Sequence, residues 1–188
     1  MTTERDRDSV IDTFVERLYA LSKEAGSCAD LAKLKRCAGR PLSDSPRAFP
    51  VFYGILPAML RGDEGAEDRL FLCATLYAQN PRQAADGNLG TALARLADSR
   101  GDGRDGVDRR FAALLDADVQ ALPFRLRQLV SLLDSAEIGV NWRSLSQDLL
   151  WWDHPQHRVQ RTWARSYFGG SHLKENSMVQ SAGPNAGE

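Results

Sequence analysis

The segment of residues 141–169, NWRSLSQDLLWWDHPQHRVQRTWARSYFG, constrains the fold more than any other stretch. Asn141 is a residue type that caps helices, and Pro155 favours the first turn of a helix, where its missing N–H costs nothing. Apolar residues recur at helical spacing after the cap, at Trp142, Leu145, Leu149 and Trp152. The segment therefore predicts two consecutive helices, the second starting at Pro155.

The second of these helices has two chemically different faces. At about 100° per residue, three arginines fall within a narrow arc and three apolar residues fall on roughly the opposite side. The arginines are Arg158, Arg161 and Arg165, and the apolar residues are Val159, Trp163 and Tyr167. We expect the apolar face to pack against the protein and the cationic face to meet solvent or a partner.

Helical periodicity extends through the rest of the chain, with no alternating strand pattern and no repeat of fixed length. The sequence predicts an all-α protein of two small helical bundles, with about eight or nine helices in total. The flexible stretch SRGDGRDG suggests the boundary between them. The predicted ranges are 1–98 for the first bundle, 99–106 for a linker, 107–169 for the second bundle and 170–188 for a disordered tail.

Several helix ends can be predicted in the first half. Ser9 is placed to cap the first helix. A short second helix over residues 29–38 is closed by Gly39. Residues 50–60 are apolar on nearly all sides, which indicates a buried helix that Pro57 ends or kinks.

Composition narrows the class of protein. Of 188 residues, 43% are hydrophobic and 26% charged, and no apolar run approaches the roughly 20 residues of a membrane span. The charged N-terminus does not resemble a signal peptide, so we expect a cytoplasmic protein. The three cysteines fit neither a disulfide framework nor a zinc site, so we expect reduced core residues.

Charge distribution is more informative than net charge. A net charge of −1 argues against a protein that binds nucleic acid with its whole surface. Basic residues nevertheless concentrate between Leu31 and Arg47 and again between His154 and Phe168. Such islands bind phosphate, or they are solvated helix faces and partners of acidic residues. Tryptophan can likewise stack on bases, although at helical spacing Trp142 and Trp163 favour the core.

The order of motifs resembles a known family. Residues 109–168 contain an Arg-Arg-Phe start, a leucine-rich run with Arg-Gln-Leu-Val, a Trp-x-x-Leu-x-x-Asp-Leu run and a closing Val-Gln-x-x-Trp-Ala-Arg run. Upstream, LAKLKRCAGRPLSDSPRAFPVFYGILP places a basic helix before an apolar Phe-Tyr helix. Together these stretches resemble the CasB family, the small subunit of the type I-E CRISPR Cascade complex.

This resemblance implies a non-catalytic subunit without a cofactor, in a complex that carries a CRISPR RNA and opens matching DNA. Its implied partners are the other Cascade subunits, CRISPR RNA, target DNA and a second copy of itself. The implied role is to hold the RNA–DNA hybrid and the displaced strand. The family's basic positions fall on Lys33, Lys35, Arg36, Arg40, Arg109, Arg127, Arg143, Arg161 and Arg165, and the helix projection adds Arg158.

Two other functions stay open from the residues alone. The first is a helical adapter whose arginine faces bind acidic protein surfaces. The second is a metal-dependent enzyme using Asp153, His154 and His157, although their spacing, with a proline interposed, is unlike that of metalloprotease helices.

Overall fold

The computed structural model describes the backbone of residues 4–23 and 28–180 and the side chains of residues 8–23 and 28–169. Nine α-helices and no strand are present in this part of the chain, which confirms the predicted all-α class. The helices are α1 (Glu4–Lys23), α2 (Cys28–Arg36), α3 (Phe49–Ile55), α4 (Glu64–Gln79), α5 (Leu89–Ser99), α6 (Arg104–Leu115), α7 (Leu122–Ser135), α8 (Trp142–Leu150) and α9 (Arg158–Gln180).

Local signals fix several of these helix ends. The Asn141 side chain accepts a hydrogen bond from the backbone N–H of Ser144 at 3.0 Å, so the predicted cap of α8 is confirmed. Helix α2 ends at Arg36, two residues before the predicted end, and Gly39 lies in the turn that follows, with a φ of +83° that glycine adopts without strain. Helix α3 ends at Ile55 because Leu56, which precedes Pro57, is extended with ψ at 125°.

Two predicted helix starts are wrong. Helix α1 begins at Glu4, so Ser9 lies inside the helix, where its carbonyl accepts a hydrogen bond from the Thr13 hydroxyl. Helix α9 begins at Arg158 instead of Pro155. The reason is a pair of tight turns, closed by backbone hydrogen bonds from His154 and His157, with His157 at a φ of +47°.

The buried residues form one contiguous hydrophobic cluster that draws on helices from both halves of the sequence. Helices α1, α2, α4 and α8 pack together, while α5 packs against α6, α7 and α9. Helix α4 also contacts α7. The helices on either side of the predicted boundary are therefore interleaved in space, and division into two sequential folding units stays a prediction.

The predicted linker and tail contain helical backbone. After α5, Gly101–Gly103 form a short 3-10 turn that leads directly into α6. Helix α9 continues to Gln180 and so takes in residues 170–180 of the predicted tail. Residues 181–188 lie outside the described part, and disorder there stays a prediction.

The cysteines are free, but only two are core residues. Cys37 and Cys73 are buried, whereas Cys28 is exposed at the start of α2, so its predicted place in the core is wrong. Burial raises the pKa of the Cys73 thiol to about 12. None of the helices in the described residues combines the length and the apolar character of a membrane span.

Candidate nucleic-acid interface

Helix α9 presents the two faces that its sequence predicts. Val159, Trp163 and Tyr167 are buried. The other side carries exposed arginines, namely Arg158, Arg161 and Arg165. The cationic row therefore faces away from the core, and the burial of Trp142 and Trp163 confirms the expectation that these tryptophans are core residues.

Hydrogen bonds from two buried aromatic side chains fix the rotation of α9. The Trp163 indole donates to the Asp148 carboxylate at 2.7 Å, and the Tyr167 hydroxyl donates to Asp108. Burial raises the pKa of Asp148 to about 6, and the bonds from Trp163 and Ser144 oppose that rise. These contacts hold the apolar face inward, so they keep the arginines outward.

The second basic group lies at the end of α2 and in the turn after it. Lys33 is paired with Asp30 at 2.7 Å, which partly neutralises it. Lys35, Arg36 and Arg40 are exposed, and none of them forms an ion pair within the described residues. The cations nearest the turn are therefore available to a bound anion.

Arg127 brings helix α7 to this same group. A Cβ placed on Gly39 would lie 3.2 Å from the Arg127 Cδ, so the aliphatic part of Arg127 packs against the glycine backbone. Arg127 is exposed, and none of the ion pairs in the described residues includes it. We define Lys35, Arg36, Arg40 and Arg127 as the α2–α7 basic surface.

The remaining predicted site residues are engaged within the protein. Arg143 forms a two-pronged ion pair with Asp12 that ties α8 to α1, and this hydrogen bonding raises the pKa of Arg143. The Arg109 Nε donates to the Asp105 carbonyl at 3.3 Å, and the Arg158 Nε donates to the Gln156 side chain at 2.9 Å. Of these three, Arg143 is the least available to phosphate, because binding would compete with a carboxylate.

The connection between α6 and α7 contributes residues to a depression beside each basic group. Arg161 shares one depression with Asp116 and Asp118. Arg40 lines a groove together with Val119, Gln120 and Phe124. The part of this connection that lies beside the arginine row of α9 is therefore acidic.

Two of the three residues of the hypothetical metal site, Asp153 and His154, have other partners. Asp153 accepts a hydrogen bond from Arg69 at 2.8 Å, which holds the pKa of that carboxyl below its usual range. The His154 Nδ1 accepts the backbone N–H of Gln156 at 3.1 Å. Within the described residues, no three His, Cys, Asp or Glu side chains are grouped as metal ligands.

Two exposed apolar residues beside the α2–α7 basic surface were missed by sequence reasoning. Phe124 is 55% exposed and Val119 is 45% exposed. The sequence does indicate the exposure of Phe124. This residue lies two positions before Leu126 and is therefore off the apolar stripe formed by Leu126, Leu129 and Leu133. Nothing in the sequence predicts the contact of Arg127 with Gly39, because the two residues are 88 positions apart.

The sequence and the fold of this chain are both similar to those of a known protein family. The model of the family "CRISPR-associated protein Cse2" matches residues 30–168. A CRISPR-associated protein Cse2 from Thermus thermophilus is 34% identical over 171 residues, which are 90% of this chain and 96% of the relative.

Solved structures agree with the sequence matches. CasB from M. ruber is 31% identical, with a TM-score of 0.74 over 88% of this chain and 96% of that one. A chain in a structure described as a CRISPR RNA-guided surveillance complex is 26% identical, with a TM-score of 0.71 over 94% of this chain and 99% of that one. The match over residues 30–168, the relative at 34% identity and the shared helical fold together show that this chain belongs to the CRISPR-associated Cse2 family, known in its solved members as CasB.

Proposed function

We propose that this chain is a non-catalytic subunit of a CRISPR RNA-guided DNA surveillance complex. In this role it stabilises the RNA–DNA hybrid and the displaced strand through its basic helix surfaces. Its partners are the other subunits of the Cascade complex, CRISPR RNA, target DNA and a second copy of itself. Membership of the Cse2 family supports this role, as does the fold shared with a chain of a surveillance complex.

The observation that carries the proposal is a set of exposed cations without carboxylate partners. The α2–α7 basic surface contains four such side chains, two from α2, one from the turn after it and one from α7, within the described residues. Arginine suits phosphate because its planar guanidinium donates two parallel hydrogen bonds. Contacts of this kind position a nucleic acid without reading its sequence, which a complex guided by base pairing leaves to the RNA.

Buried titratable groups support a binding role over a catalytic one. Asp148 and Tyr167 have raised pKa values because they are desolvated, and perturbed groups often mark active sites. Here Asp148 accepts a hydrogen bond from Trp163 and Tyr167 donates one to Asp108, and these two bonds hold α9 against the core. Their perturbation thus has a structural explanation in the packing of α9.

The test is the retention of target DNA by the assembled complex. Charge reversal of Arg36, Arg40 and Arg127 to glutamate is expected to leave the fold intact and to speed the release of target DNA. Reversal of Arg95, an exposed arginine of α5 that pairs with Asp86 at 3.7 Å, is the matched control. Retention that is unchanged in the triple variant, with an unchanged salt dependence, would remove the phosphate-binding role.

The adapter hypothesis predicts a different result for the same assembled complex and the same triple variant. If the basic surfaces bind acidic proteins, nuclease treatment leaves the protein partners bound to this subunit, and the triple variant loses those partners. Under our proposal, the triple variant still assembles with its partner subunits and loses only the nucleic acid.

A further inference from the structure

We propose that the groove between the turn after α2 and the start of α7 binds one unstacked nucleobase of a single-stranded nucleic acid. Phe124 is the surface on which the base stacks. The inference depends on the proposed function, because it names the chemical group that a strand held by the α2–α7 basic surface presents to the protein.

The groove has the size and the lining for a flat apolar group. Its volume is about 220 Å³. That is below the roughly 300–1,000 Å³ of pockets for drug-sized ligands, so it suits a single ring system. Its apolar walls are Pro41, Leu72, Val119, Leu122, Pro123 and Trp152.

Phe124 has the exposure that stacking requires. It is 55% exposed in the first turn of α7, outside the stripe that packs into the core. The Arg125 guanidinium carbon lies 5.8 Å from the centre of its ring. An aromatic ring together with a guanidinium is the combination on which proteins stack unpaired bases.

Charge complementarity identifies the occupant as part of a nucleic acid. Arg40 lines the groove and Arg127 packs against Gly39 beside it, so two cations are available to the phosphates on either side of a bound base. Asp68 and Arg69 also line the groove. Arg69 is engaged by Asp153 and by the Leu150 carbonyl, so the Asp68 carboxylate is left to repel a phosphate placed inside the groove. A carboxylate accepts hydrogen bonds from the exocyclic amine of cytosine or adenine, so the base enters and the phosphates stay outside.

The experiment measures binding of the full-length chain to a short single-stranded oligoadenylate that contains one 2-aminopurine. Titrations at several salt concentrations give both the affinity and its salt dependence, and the fluorescence of 2-aminopurine reports stacking. The variants Phe124→Leu and Phe124→Trp compare an apolar side chain with another aromatic one. Met59→Ala is the control, because Met59 is 64% exposed and lies in a different groove, beside Val10 and Leu60.

Loss of the stacking surface should weaken binding without changing its electrostatics. Stacking on aromatic side chains is worth enough that Phe124→Leu is expected to reduce affinity by about 5-fold to about 100-fold, with the change in 2-aminopurine fluorescence on binding lost. The salt slope should stay unchanged, Phe124→Trp should retain binding and Met59→Ala should resemble the unaltered chain. Arg127→Gln should instead lower the salt slope by about 0.7.

The outcomes separate this inference from the proposed function. If Phe124→Leu gives the same affinity and the same change in 2-aminopurine fluorescence as the unaltered chain while Arg127→Gln weakens binding, the base site is overturned and the phosphate surface stands. If neither variant changes binding, or if the unaltered chain does not bind at low salt, both are overturned. If Phe124→Leu leaves oligonucleotide binding unchanged and instead reduces co-purification of the chain with its partner subunits, the groove is a protein contact and the base site is overturned.

Discussion

Gly90 offers a sharp test of the packing that orients the arginines of α9. It lies in α5, where the backbone of α9 crosses it closely. A Cβ added to Gly90 would be 2.2 Å from the Trp163 carbonyl oxygen and 2.9 Å from its carbonyl carbon, well below the 3.4–4 Å of ordinary contact. Because these are backbone atoms, relief requires the two helices to separate by about 1.2 Å at this point.

The sign of the effect of Gly90→Ala distinguishes packing from helix propensity. In an open helix interior, alanine is more favourable than glycine by about 1 kcal/mol. Forcing extra volume into a packed site costs about 1–3 kcal/mol and occasionally more. Since the clash is with backbone on a helix that also carries the Trp163–Asp148 bond, we expect the free energy of unfolding to fall by about 1–3 kcal/mol net.

Urea unfolding followed by circular dichroism measures this change. Gly54→Ala is the matched control, because Gly54 is also helical and no heavy atom lies within 4 Å of its added Cβ. The control should be neutral or more stable by up to about 1 kcal/mol. A Gly90→Ala protein as stable as the control would refute the close contact between α5 and α9.

Three further predictions follow from the contacts of single residues. Folding favours protonated Asp148, whose pKa is about 6 against an ordinary 3.8, so its contribution to stability is complete below that ordinary value and is lost as the pH rises through about 6. Asp148→Asn should therefore remove about 2 kcal/mol of pH dependence from urea unfolding measured between about pH 4 and about pH 7. Arg143→Gln should lower the free energy of unfolding by less than about 1 kcal/mol, because its pair with Asp12 is exposed, and DNA affinity measured by filter binding should not change. A maleimide reagent followed by mass spectrometry should label exposed Cys28 quickly and buried Cys73 only after unfolding.

Each of these results can contradict the structure. Equal pH dependence with and without the Asp148 carboxyl would mean that its burial does not shift its pKa in the folded protein. Weaker DNA binding by Arg143→Gln would mean that Arg143 contacts the DNA despite its pair with Asp12. Rapid labelling of native Cys73 would be incompatible with its packing against the Ser146 hydroxyl at 3.1 Å.

Periodicity was sufficient to predict the helical class and the orientation of α9. The three arginines and the three apolar residues of α9 lie on the sides that a 100° projection assigns to them. The Asn141 cap was predictable because it depends on residues only three positions apart. The true starts of α1 and α9 could not be predicted in the same way. Polar residues before Ser9 extend α1 to Glu4, and the turns after α8 move the start of α9 beyond Pro155.

The candidate interface was less predictable because the availability of a cation depends on distant residues. Sequence shows that Arg143 and Arg127 are both arginines on predicted helices. Only the tertiary structure pairs Arg143 with Asp12, 131 positions away, and places Arg127 against Gly39 without a carboxylate partner in the described part of the chain. Exposed positions follow from periodicity, whereas ion pairing across the fold does not.

The most direct measurement of the central claim is the salt dependence of target-DNA binding by the assembled surveillance complex. The unaltered subunit is compared with one in which Arg36, Arg40 and Arg127 are each replaced by glutamine. We predict that the slope of log K against log salt concentration becomes shallower by about 0.7–0.9 for each phosphate that the variant no longer neutralises. An identical slope and affinity for the two complexes would contradict the claim that the α2–α7 basic surface binds phosphate.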